Sequence, residues 1–97
     1  MSTYPNLLNA RTTSGNGTAI TLKRPLNVPR EGSIFIFGTF DGCTVTLQDS
    51  MDGTEWFDLP SGAFTVKSRV NLQTHAKQLR AVVSSAGAST SVSAHFE

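Results

Sequence analysis

The chain has 97 residues, of which 38% are apolar and 15% charged, and it carries a formal net charge of +1 and a single cysteine. That length supports one hydrophobic core rather than two, and the charge lacks the Lys/Arg excess that gives phosphate-backbone binding its strength, so no nucleic acid is expected as a partner. One cysteine excludes an intrachain disulfide or a cysteine zinc site, and no apolar run approaches the length that spans a bilayer, so no membrane partner is expected either.

The first 17 residues, MSTYPNLLNARTTSGNG, combine Pro, Asn, Ser and Gly with apolar Tyr4, Leu7 and Leu8 and show no sustained period. They also lack the basic and then apolar layout of a secretory leader, which predicts a soluble protein made in a cytoplasm. Residues 1–17 therefore read as an amino-terminal arm ahead of a folded domain over 18–97. The arm either lies over its own domain or orders on a neighbouring subunit, in which case Tyr4, Leu7 and Leu8 are the anchors.

From residue 18 onward the apolar period is two, in short β-branched or aromatic runs separated by Gly, Pro, Asp and Ser. TAITLK (18–23) aligns Ile20 with Leu22. GSIFIFGTF (32–40) is apolar on both faces, with Ile34, Ile36 and Phe40 on one and Phe35 and Phe37 on the other. In CTVTLQDS (43–50), Cys43, Val45 and Leu47 point inward and Thr44, Thr46 and Gln48 outward.

Asp52-Gly53 reads as a tight hairpin turn with positive φ at the glycine. EWFDL then forms a short strand that Pro60-Ser61-Gly62 breaks. AFTVKS and RVNLQ follow as further strands, pairing Phe64 with Val66 and Val70 with Leu72 on single faces. LRAVVSS (79–85) offers Leu79, Ala81 and Val83, STSVSAHFE offers Val92, Ala94 and Phe96, and Ala86-Gly87-Ala88 between them suits a hairpin loop. No stretch holds helical spacing for a dozen residues. The pattern predicts an all-β protein, a single antiparallel β-sandwich of about seven to eight short strands.

Reactive chemistry finds little footing in these residues. Asp49, Asp52 and Glu55 superficially resemble a calcium loop, but the EF-hand spacing is not met and the flanks are strands. Cys43, His75 and His95 have no nucleophile elbow, phosphate cradle or metal-ligand spacing around them, and Cys43 lies on the apolar side of its strand. The expectation is no enzyme, no catalytic residue, no cofactor and no metal. Lone Trp56 fits a sugar platform less well than a core edge. Phe35 and Phe37, by contrast, are more apolar surface than one strand of a monomer ordinarily leaves in water. They join Tyr4, Leu7 and Leu8 as candidate interface residues.

The run from Gly38 to Glu97 has an ordered set of features: a Thr-Val-Thr-Leu strand, Ser50-x-Asp52-Gly53-x-x-Trp56, a Phe-Thr strand and a closing Leu-Arg-Ala-Val-Val hairpin. In this it resembles small structural proteins of tailed bacteriophages. The resemblance covers about three-fifths of the chain and implies a β-sandwich carried on the virion after synthesis in the host cytoplasm. The role implied is a capsid decoration or cement protein, with a head-tail connector or tail component as the alternative; the surface hydroxyls and Trp56 leave a carbohydrate-binding module as a second alternative. The partners implied are the major capsid protein or other virion subunits, or further copies of the chain as a homo-oligomer. No catalytic residue is transferred, and Ser50, Asp52, Gly53 and Trp56 are implied as hairpin architecture. Cys43 and the divergent arm depart from the pattern and leave the docking partner open.

Overall fold

The structure is a computed structural model and describes residues 6–22 and 30–96. Among these residues nine strands occur in this order: β1 (Leu8–Arg11), β2 (Gly15–Asn16), β3 (Ile20–Thr21), β4 (Arg30–Thr39), β5 (Thr44–Ser50), β6 (Phe57–Phe64), β7 (Ser68–Thr74), β8 (Gln78–Ser84) and β9 (Ser91–Phe96). There is no helix among the described residues. The strands form two antiparallel sheets. The first runs β1-β9-β4-β7, and the second runs β2-β8-β5-β6 with β3 also paired to β8.

Period-two alternation builds the core directly, since successive side chains of a strand point to opposite faces. Ile34, Ile36, Val92, Ala94 and Phe96 of the first sheet meet Val45, Leu47, Leu79, Ala81 and Val83 of the second in one cluster. The sandwich expected from the alternation is therefore the fold observed.

Four local expectations are corrected by the pairing. The stretch read as an arm is part of both sheets, because β1 pairs β9 and β2 pairs β8. Arg11 holds the crossover between them: its Nε donates to Thr13 O at 2.9 Å, and its Nη1 and Nη2 donate to the carbonyls of Asn16 and Ser14. Second, Pro60-Ser61-Gly62 does not end a strand. On β6, residues 59–62 bulge opposite Leu47 alone, since Thr46 faces Ala63 and Gln48 faces Asp58. An edge strand tolerates such a bulge, because the missing proline N–H and the unpaired residues face no further neighbour.

Third, AFTVKS is not a strand of its own. It closes β6 at Phe64 and then crosses to the first sheet, leaving Val66 66% exposed instead of aligned with Phe64. Fourth, Ala86-Gly87-Ala88 is a bridge between sheets rather than a hairpin loop, because β8 and β9 lie in different layers. It is tied to the loop after β4: Ser89 N donates to Asp41 Oδ2 at 2.7 Å, and Thr90 Oγ1 donates to Phe40 O at 2.9 Å.

Candidate interface on the outer face of the first sheet

Strand β4 is flanked by β9 on one side and β7 on the other. Ile34 and Ile36 are fully buried, and the same alternation that sends them inward turns Phe35 and Phe37 to the outer face. Phe37 is 45% exposed and Phe35 is half-buried. Phe35 lies opposite His95 on β9 and Arg69 on β7, and Phe37 opposite Ser93. A shallow apolar depression is lined by Phe35, Ile36 and Phe37 together with Lys67, Ser68 and Arg69.

The backbone holds this patch in place. Gly38, immediately after Phe37, has φ +120°, and an added Cβ there would sit 2.2 Å from Ser91 O. Only glycine allows β4 to stay paired with β9 at that point. Further along the same flank, His95 Nδ1 is hydrogen-bonded to Asn6 Oδ1.

The five candidate interface residues fall into three groups. Phe35 and Phe37 are on one surface, as the alternation indicated. Leu7 and Leu8 are not docking anchors: they are 0% and 3% exposed and belong to the chain's own core. The reason is their backbone pairing, in which Leu7 N donates to Ala94 O, Leu7 O accepts from Thr18 N, and Leu8 stands opposite Ala94. Tyr4 lies outside the described residues. Lys67 and Arg69 were missed, because only the pairing of β7 with β4 sets Arg69 opposite Phe35 and brings Lys67, just before β7, to the same depression.

The Ser-Met-Asp-Gly stretch makes a self-contained loop between β5 and β6. Ser50 Oγ accepts from the backbone N–H groups of Asp52 and Gly53, the latter at 2.8 Å. Asp52 Oδ1 accepts from Thr54 N and Glu55 N at 2.8 and 2.9 Å. These donors, Glu55 N–H foremost and then Thr54 N–H, hold the Asp52 carboxyl below its ordinary value of 3.8. The loop's backbone N–H groups from Asp52 to Glu55 are thus already engaged by its own side chains. Gly53 has φ +81°, as expected, but the connection runs from Met51 to Trp56 and is not a two-residue turn.

Trp56 is half-buried, and the Arg80 guanidinium stacks over its ring with Cζ 4.1 Å from the centroid. Arg80 Nε also donates to Gln48 Oε1 at 2.8 Å, and Gln48 Nε2 donates to Asp58 Oδ1 at 2.7 Å. One face of the indole is therefore covered by a side chain that is itself fixed across three strands.

Cys43 is fully buried, and burial is the main influence pushing its thiol above the ordinary value. No group of three or more His, Cys, Asp or Glu residues converges as a metal site among the described residues. Comparison of the chain with protein-family models, curated proteins and solved structures finds no match.

Proposed function

We propose that this protein is a non-enzymatic structural component of a bacteriophage virion, a capsid decoration or cement protein that docks on the assembled shell through the outer face of its first sheet. The observation that carries the reading is the Phe35–Phe37 patch. Neither ring belongs to the core cluster, so the apolar surface they expose is available for contact with another subunit. Lys67 and Arg69 at the rim suit a subunit surface that surrounds an apolar contact with carboxylates, and they favour the correct docking orientation. Bound at symmetry-related positions, many weak copies would bridge neighbouring shell subunits, and avidity would compensate for the small area of each contact.

The test is co-sedimentation of the purified chain with assembled particles from host cells that produce it. Replacing the exposed Phe37 by Ser is expected to weaken pelleting on the order of tenfold or more while leaving the melting temperature nearly unchanged. Pelleting that Phe37→Ser does not alter would overturn the docking face. Cryo-electron microscopy of the same particles then distinguishes shell from connector: copies in the hundreds mean shell cement, and a ring of a dozen or fewer means the connector or tail.

A further inference from the structure

We infer that β7 is a pairing edge for a second copy of this chain, joining the two first sheets into one continuous sheet across a two-fold axis at Asn71. The inference rests on the sheet edges and is independent of the docking role assigned to Phe35 and Phe37.

Among the described residues, three of the four sheet edges are irregular in ways that discourage strand addition. β6 carries the bulge at 59–62 and Pro60. β1 shifts register between Leu8 and Arg11 and holds Ala10 at φ +50°. The β2/β3 edge consists of two strands of two residues each. β7 differs from all of these. Its seven residues pair with β4 from Ser68↔Ile36 to Thr74↔Arg30 without a break, and it contains no proline, no positive φ and one charge. Its inward side chains Val70 and Leu72 stay only half-buried, so the core is left partly open along this edge.

The sequence of β7 says which partner fits. Ser-Arg-Val-Asn-Leu-Gln-Thr is a chemical palindrome about its central Asn71. An isologous interface requires such self-complementarity, because residue i must meet residue j and j must meet i. Antiparallel pairing about Asn71 sets Val70 against Leu72 of the second copy on the core side. On the outer side it sets Arg69 against Gln73 of the second copy and Asn71 against its own counterpart. No charge then faces a like charge, and each paired position matches in polarity. Ser33 Oγ donates to Asn71 Oδ1 at 2.9 Å, so the central amide is oriented before a second copy arrives. One strand further out, Glu31 follows Gln73 in the same cross-strand row, so Arg69 approaches Glu31 of the second copy. Seven paired residues make a small interface, which gives a weak, concentration-dependent dimer.

Sedimentation equilibrium of the purified chain is expected to show monomers giving way to dimers as concentration rises from micromolar toward millimolar. Asn71→Lys and Asn71→Glu each set like charges face to face on the axis and are expected to weaken the dimer on the order of tenfold or more. An equimolar mixture of the two variants is expected to restore dimerisation. Amide exchange of the unaltered chain supplies a readout that does not depend on the variants folding: amides within 68–74 should gain protection with concentration while those of β6 do not. A monomer over the whole range, a dimer that both variants retain, or exchange in 68–74 that ignores concentration would each overturn the inference.

Discussion

At the scale of single residues, Asp52 shows how a surface carboxylate can shape a loop. Its Oδ1 gathers two backbone N–H groups, while Ser50 gathers two more. Because the folded-state carboxyl titrates below its unfolded value, the unfolded chain binds the proton more readily. The stability that Asp52 contributes is therefore fully present above the unfolded value near pH 4 and is lost as pH falls through the lower folded value. Asp52→Ala is expected to lower the urea midpoint at pH 7, and the gap to the unaltered protein should narrow by pH 3. A gap that stays constant across that range would contradict the hydrogen-bond assignment. The Asp-Gly pair was readable as a turn from its dihedral demand alone. The six-residue span of that turn was not, because it depends on side-chain acceptors replacing the ladder.

At the scale of elements, the amino-terminal segment and β6 show where local pattern is overridden. Leu7 and Leu8 have no period of their own, yet pairing with β9 buries both. Leu7→Ala is accordingly expected to behave as a core truncation, costing about 2–5 kcal/mol in denaturant unfolding. Were Leu7 instead a docking anchor, the same change would reduce particle binding and leave stability nearly intact. On β6, proline and glycine are ordinary stop signals, but an edge position with a free side absorbs them as a bulge. The patch at Phe35 and Phe37 was legible because a strand apolar on both faces needs two coverings and its own sandwich supplies one. Its basic rim was not legible, since Lys67 and Arg69 reach it through a strand 30 or more residues away in sequence.

At the scale of the whole molecule, consecutive strands rarely pair. From β4 onward only β5 and β6 form a hairpin, and each other step crosses between the layers. Such long-range order ties the core into one cooperative unit. Cys43 sits inside that unit and reports on it. Its fully buried thiol, pushed above its ordinary value by burial, is expected to resist a thiol reagent at pH 8 in the native state and to react on addition of denaturant at the rate of global opening. Rapid modification without denaturant would show that the Thr39–Cys43 corner opens on its own.

The sequence by itself determined the class of fold, the inward residues of β4, β5, β8 and β9, and the outward turn of Phe35 and Phe37. All of these follow from alternation along a strand, a property of the local backbone. Only the tertiary structure decided which strands are neighbours, that residues 8–16 serve both sheets, that Arg80 covers Trp56, and that β7 is the one regular edge among the described residues. These depend on pairing between residues far apart in the chain, whose register is set by the shared core and by no local signal.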